Sequence, residues 1–157
     1  MAHQYSVVVE WTGNRGSGTS AYAAYSRDHQ IFVEGKTTLI AGSADASFRG
    51  DPAKYNPEEL LVEALSACHM LAFLHLCADA GIVVTAYRDT AAGSMQVQAD
   101  GAGQFTKVTL RPHVAITDGT RLTELDALHH RAHEVCFIAR SVNFTVGCEA
   151  TGVTQQG

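Results

Sequence analysis

The stretch NPEELLVEALSACHM, residues 56–70, decides the fold, because it combines a strong helix start with a long apolar run. Asn56 is a favourable N-cap residue, and Glu59, three positions later, completes the pattern of a capping box. Good helix formers continue as far as Asp79, and Gly81 supplies a stop signal. Apolar residues leave this segment with little polar face, so the sequence predicts a central, buried helix.

Short strands are predicted on both sides of this helix. Segments rich in valine and aromatic residues, or with alternating apolar and polar residues, are typical of strands, and they lie at residues 5–11, 21–26, 30–34, 82–87, 94–98, 106–117 and 143–151. Pro112 marks an edge or a bulge. The segment Gly13–Gly18 predicts a hairpin loop, and residues 42–55 an irregular loop. With a second helix from Thr123 to about Val142, the order βββ-α-ββ-α-β indicates an α+β fold with antiparallel sheets.

Composition excludes several functional classes. We expect the 157 residues to form one domain, residues 1–157. Lys and Arg total 11, Asp and Glu total 16, and the net charge is −5. Without a basic cluster, such a chain is a poor candidate for binding nucleic acid or an anionic membrane. The segment Leu60–Ala80 contains Glu63, His69, His75 and Asp79 and is predicted to be too polar to span a bilayer. No secretory signal is recognised, so we expect a cytoplasmic protein with reduced thiols.

The residues best suited to redox chemistry are the four cysteines, Cys68, Cys77, Cys136 and Cys148. They form no C-x-x-C pair, so a structural zinc site is not expected. Cys68 is either a reactive thiol or a small buried hydrophobic residue. Cys136 has His133 three residues before it and Arg140 one turn after it, a spacing at which a cation favours a thiolate, but core packing explains it equally well. Cys77 and Cys148 are interpreted as structural thiols.

Two histidines of the second predicted helix, His129 and His133, have the i, i+4 spacing of a metal-binding pair. No H-E-x-x-H pattern accompanies them, so a solvated helix face is the preferred interpretation and no metal site is predicted. His69 follows Cys68 directly, but on a helix its side chain projects about 100° away from that of Cys68, so it is not assigned as a base.

Taken together, these motifs are similar to one family. The N-P-E and C-H pattern of residues 56–70, the glycine-rich loop with Arg15, the FRGDP loop at residues 48–52 and the second cysteine helix resemble the OsmC/Ohr family, the osmotically inducible and organic-hydroperoxide-resistance proteins. The resemblance covers essentially the whole chain. One departure is that Cys136 is followed by Phe137 where the family commonly has proline, which predicts a cysteine deep inside a continuous helix.

The resemblance implies a thiol peroxidase that reduces organic hydroperoxides, with Cys68 as peroxidatic and Cys136 as resolving cysteine. It also implies that Arg15 stabilises the Cys68 thiolate and that Glu58 orients the guanidinium, with Arg27 as a competing candidate. No metal and no bound cofactor are implied. The implied reductant is an external dithiol, of the lipoyl type or similar.

Helix geometry adds an expectation about assembly. Glu58 and Cys68 are ten residues apart, which is roughly 15 Å of rise along a continuous helix. One arginine therefore cannot contact both side chains of one chain, unless the helix breaks or Glu58 serves the site of a second subunit. The family's intertwined homodimer is consistent with the second arrangement, and we expect it here. Two alternatives to the peroxidase stay open: a non-enzymatic binder of a small apolar ligand, and a stoichiometric redox sensor.

Overall fold

The computed structural model describes residues 2–155 and confirms the α+β class with two main helices. The helices are α1 (Pro57–Asp79) and α2 (Leu125–Val135). The strands in the described part of the chain are β1 (Val8–Trp11), β2 (His29–Phe32), β3 (Ile40–Gly42), β4 (Val84–Asp89), β5 (Ala92–Val97), β6 (Gly103–Leu110), β7 (Pro112–Ile116), β8 (Thr145–Cys148) and β9 (Thr151–Thr154). The fold divides into two compact units, Met1–Leu61 and Val62–Gly157. The single-domain organisation stays a prediction.

The first unit contains an antiparallel sheet in the order β1-β2-β3. The strand predicted at residues 21–26 is wrong, because this segment forms turns and bends. Its backbone bonds locally, with the N–H of Ala24 donating to the carbonyl of Ala21 at 2.9 Å. β1 therefore pairs with β2, and Gly13–Gly18 belongs to a longer connection than the predicted hairpin. Gly16 and Gly18 do take positive φ angles, 111° and 56°, as expected of a glycine-rich loop.

The predicted start and stop of α1 are confirmed. The side-chain oxygen of Asn56 accepts from the backbone N–H of Glu59 at 2.8 Å, and the carboxylate of Glu59 accepts from the N–H of Asn56 at 3.1 Å. This is a reciprocal capping box. Gly81 follows the helix at φ 69°, the left-handed conformation that glycine adopts at helix ends. Between them, α1 runs for 23 residues without a break.

The second unit contains two mixed sheets, β4-β7-β9 and β5-β6-β8. The strand predicted at residues 106–117 is in fact two strands, β6 and β7, one in each sheet. The chain changes sheet at Arg111, whose backbone N–H donates to the carboxylate of Asp89 at 2.6 Å, and Pro112, which has no N–H, begins β7. The final predicted strand, residues 143–151, contains β8, and a second strand that was not predicted, β9, begins at its last residue, Thr151. These two strands run parallel to β6 and β7, a pairing that the antiparallel prediction did not include.

Two apolar clusters form the core of the second unit. The larger contains Phe73, Cys77, Ile82, Val114, Ile116, Leu125 and Ala132. The smaller contains Leu65, Val108 and Leu110. The buried residues of α1 recur every fourth position, at Leu65, His69, Phe73 and Cys77, so one stripe of the helix faces this core.

The rest of α1 is less buried than the sequence predicts, and Leu71 is 63% exposed. An 18-residue window of α1 is long and apolar enough to cross a membrane by length and composition, so the prediction that it is too polar is wrong on that criterion. The core helix of a soluble protein passes the same criterion, and the buried stripe gives α1 that role. The helix does not indicate a membrane protein.

Candidate active site

Cys136 lies where α2 ends. The sequence predicts a continuous helix to about Val142, and this is wrong: the helix ends at Val135, and Cys136 takes an extended backbone conformation with ψ of 111°. Its N–H bonds to the carbonyl of His133, 3.4 Å away, and its carbonyl accepts from Arg140 in the turn that follows. Cys136 is therefore at a helix terminus and 1% exposed, and it is not enclosed within a continuous helix.

The structure brings two of the predicted site residues together. The thiol of Cys136 lies close enough to Cys68 for that thiol to influence its pKa, and Cys68 lies in the middle of α1 and is half-buried. Both cysteines are free thiols. Burial, followed by the neighbouring Cys68 thiol, raises the pKa of Cys136 to about 11. The suggestion that Arg140 favours a Cys136 thiolate is therefore wrong, and the Arg140 guanidinium donates to the carbonyl of Glu134 at 3.3 Å.

The two candidate arginines differ in the contacts that their guanidinium groups make. The guanidinium of Arg27 lies 4.2 Å from the ring centroids of both Tyr22 and Tyr25. It also donates to the backbone carbonyls of these two residues, at 2.8 and 2.7 Å. Arg15 is exposed, and its guanidinium makes no hydrogen bond or ion pair with another residue in the described range 2–155. Of the two, Arg15 is thus the one with a guanidinium free to bind another group.

Glu58 lies in the first turn of α1, where its negative charge suits the helix dipole. Its Oε2 atom is buried and has no hydrogen-bond partner among residues 2–155. A buried carboxylate oxygen normally has a partner, because leaving it unpaired is costly. Since α1 is unbroken, roughly 15 Å of helix rise separates Glu58 from Cys68, and the alternative of a broken helix is excluded.

Comparison with known proteins identifies the family. Residues 50–150 match the family model described as OsmC-like protein. The chain belongs to the OsmC/Ohr family. Among solved structures, an OsmC-like protein of unknown function from Vibrio cholerae is 35% identical, with a TM-score of 0.84 over 96% of this chain and 100% of that one. No curated protein matches the chain.

Two more distant structures share the OsmC fold. An organic hydroperoxide resistance protein from Elizabethkingia anophelis, with thiocyanate bound, is 18% identical, with a TM-score of 0.65 over 99% of this chain and 100% of that one. An organic hydroperoxide resistance protein OsmC from Legionella pneumophila is 19% identical, with a TM-score of 0.64 over 96% of this chain and 98% of that one. At these identities, the likeness establishes the fold alone.

This OsmC-like chain also contains a side-chain cluster that the sequence did not predict. His69 of α1 and His129 of α2 are 1% and 4% exposed, and His69 Nε2 lies 3.0 Å from His129 Nδ1. The solvated face predicted for His129 is therefore wrong. Phe73 stacks on the His129 ring, with centroids 3.8 Å apart.

Burial keeps both imidazoles neutral. It lowers the pKa of His129 to about 4, and it lowers the pKa of His69 as well. A neutral imidazole pair shares one proton across its contact, which leaves the outer nitrogens to find other partners. His69 Nδ1 and His129 Nε2 are both buried and find none among residues 2–155.

Cys148, at the end of β8, is the third member of this OsmC-like cluster. Its Sγ atom lies 3.8 Å from His69 Nε2. Partial loss of solvent around the sulfur, and then the negative charge of Asp89, raise the pKa of Cys148 to about 11. The interpretation of Cys148 as a structural thiol is wrong, because the residue is exposed and contacts a buried histidine. Cys77, by contrast, is 1% exposed in the core, as expected of a structural thiol.

Proposed function

We propose that the protein is a thiol peroxidase that reduces organic hydroperoxides to alcohols. The observation that carries this proposal is the closeness of the Cys68 and Cys136 thiols in a chain of the OsmC/Ohr family. The two structures described as organic hydroperoxide resistance proteins support the same substrate class. Cys68 is the more accessible of the two thiols, which favours it as the residue that meets the peroxide first.

Reduction of a hydroperoxide requires only these two cysteines and an external reductant. The Cys68 thiolate attacks the outer peroxide oxygen, the O–O bond breaks, and the alkoxide takes a proton to leave as an alcohol. Cys68 is then a sulfenic acid. The Cys136 thiol attacks its sulfur, a disulfide forms, and water leaves. A dithiol of the lipoyl type takes up the disulfide by exchange and restores both thiols.

Counting the free thiols after peroxide treatment tests the proposal directly. Reduced protein is treated with one equivalent of cumene hydroperoxide, with hydrogen peroxide in a parallel sample, and the products are read by intact mass and peptide mapping. We expect loss of two thiols and a Cys68–Cys136 bridge, and then many turnovers with dihydrolipoamide present. Cys68→Ser is expected to abolish consumption, Cys136→Ser to stop at one equivalent, and Cys77→Ser, the matched control, to behave as wild type. One equivalent consumed without turnover would indicate a redox sensor, and no consumption would indicate a binding protein.

We further propose that the protein acts as a homodimer in which Glu58 orients Arg15 at the site of the partner subunit. The unbroken α1 and the unpaired buried oxygen of Glu58 support this arrangement. Exposed apolar residues support an interface as well: on β1, Val9 is 62% and Trp11 43% exposed. Exposed apolar side chains on neighbouring positions of one strand are consistent with a binding face.

Mixing two inactive variants tests the shared site. Homodimers of Cys68→Ser lack the nucleophile, and homodimers of Glu58→Gln lack the orienting carboxylate. In a mixed dimer, an intact Cys68 meets an intact Glu58 from the other chain once, so equimolar co-refolding is expected to restore about a quarter of the wild-type sites. If Glu58 instead serves its own chain, mixing restores nothing. A monomeric mass in light scattering would also refute the arrangement.

We place this activity in the cytoplasm, where thiols are kept reduced and dithiol donors are present. Thiol labelling in intact cells checks the placement, because a cytoplasmic protein is expected to carry reduced Cys68 and Cys136 before peroxide stress and a bridged pair during it.

A further inference from the structure

The His69–His129–Cys148 cluster has the composition of a metal centre. It combines two neutral imidazoles with one thiol, and one ligand atom from each residue lies within 4.8 Å of the others. The three residues come from α1, α2 and β8, which all belong to the second unit. The cluster is separate from the thiol pair, because Cys68 projects about 100° around α1 from its neighbour His69.

The distances fit tetrahedral coordination. Around zinc, with bonds of about 2.0 Å to nitrogen and 2.3 Å to sulfur, two nitrogens lie about 3.3 Å apart and a nitrogen and a sulfur about 3.6 Å. Here His69 Nε2 lies 3.0 Å from His129 Nδ1 and 3.8 Å from Cys148 Sγ. Shifts of a few tenths of an ångström bring these two pairs of atoms to ligand spacing, and the three ligand atoms all lie within 4.8 Å of one another.

The surroundings of the cluster favour a cation. A cleft of about 480 Å³ is lined by His129 and Cys148 together with the carboxylates of Asp126 and Glu149. The negative charge of Asp89 also acts on His69 and Cys148.

We propose that His69, His129 and Cys148 bind one divalent zinc-type cation per chain, with the fourth coordination position open to the cleft. Thiolate and imidazole ligands select zinc or cobalt over magnesium and calcium, which prefer oxygen. Cys148 binds as the thiolate, and the proton that it loses goes to the buffer. This site was not expected from the sequence, because the expectation of no metal rested on the lack of a C-x-x-C pair. That pattern detects ligands that are close in sequence, and these three ligands are not.

Cobalt(II) provides the test, because its spectrum reports the ligands directly. Reduced, chelator-treated protein is titrated with Co²⁺ and then with Zn²⁺. We expect one equivalent to bind, with the visible bands of tetrahedral cobalt and a sulfur-to-cobalt charge-transfer band, and we expect zinc but not magnesium to displace it. Cys148→Ser is expected to remove the charge-transfer band and to weaken binding at least about tenfold, or about 1.4 kcal/mol.

Matched variants distinguish this site from others on the chain. Cys77→Ser controls for loss of an unrelated thiol, and the double variant Cys68→Ser/Cys136→Ser is expected to keep the cobalt spectrum. The proposal is overturned if wild-type protein binds no stoichiometric metal or if folded Cys148→Ser keeps the affinity. It is also overturned if His130→Ala/His133→Ala, which alters the cleft but not the cluster, abolishes binding. A negative result in this metal-binding test leaves the peroxidase proposal intact, since the free thiols of Cys68 and Cys136 are counted in a separate experiment.

Discussion

Replacing Asn56 by alanine tests how much the start of α1 depends on its capping box. The substitution removes the side-chain oxygen that accepts from the N–H of Glu59 at 2.8 Å, and it keeps the backbone N–H that donates to the Glu59 carboxylate at 3.1 Å. Loss of an N-cap side chain costs about 0.5–2 kcal/mol. Asn56 is only 9% exposed, so water replaces the lost bond poorly, and we expect the upper half of that range.

Equilibrium urea unfolding followed by circular dichroism measures this loss. The midpoint is expected to fall with an unchanged slope, and the melting temperature to fall by about 2–4 °C for each kcal/mol. Asn56→Ser keeps an acceptor and is expected to retain most of the stability. Asn143→Ala, an exposed asparagine outside the helices, serves as the matched control.

The reciprocal geometry also predicts non-additivity. Because both bonds hold the same first turn of α1, Asn56→Ala and Glu59→Ala together are expected to cost less than the sum of the two single substitutions. Additive effects would refute this coupling. A loss below about 0.5 kcal/mol for Asn56→Ala, the range of ordinary surface substitutions, would refute the argument as a whole.

Two further predictions concern the core and the acid response. Phe73 is fully buried and stacks on His129, so Phe73→Ala is expected to lower the free energy of unfolding by about 3–5 kcal/mol, measured in urea. The control is His75→Ala at an exposed position, which is expected to change this free energy by less than about 0.5 kcal/mol. Equal losses for the two variants would contradict this placement of the core. The hydrogen bond from Lys54, at 2.7 Å, lowers the pKa of Asp28. The stability that this pair adds is therefore present above the unfolded pKa of about 3.9 and is lost as the pH falls through the lower folded value. The urea midpoints of wild type and Asp28→Asn should accordingly differ at neutral pH and converge in acid, and a gap independent of pH would exclude the pair as its cause.

Local chemistry explains which elements could be predicted from the sequence. The start of α1 depends on Asn56 and Glu59, which are three residues apart, and its end depends on Gly81; both are properties of a short segment. The strands at residues 106–117 could not be resolved in the same way. Alternation of apolar and polar residues continues through Arg111, because both sheets present an apolar face to the core, and nothing in the alternation shows that the chain changes sheet there.

The residues of the candidate site also differ in how far the sequence could predict them. Cys68 and Cys136 were recognisable because the family pattern marks each within its own segment, but only the tertiary structure shows α2 ending at Val135 and the two thiols close together. The His69–His129–Cys148 cluster could not be predicted from a short segment, because His69 is 60 residues from His129 and 79 from Cys148. The i, i+4 spacing of the histidines on α2 predicted a solvated face instead. The caps of α1, the α+β class and the family pattern around the two cysteines could be predicted from the sequence, because they depend on neighbours along the chain. The tertiary structure alone decided which thiols and imidazoles meet, because packing between distant elements sets those distances.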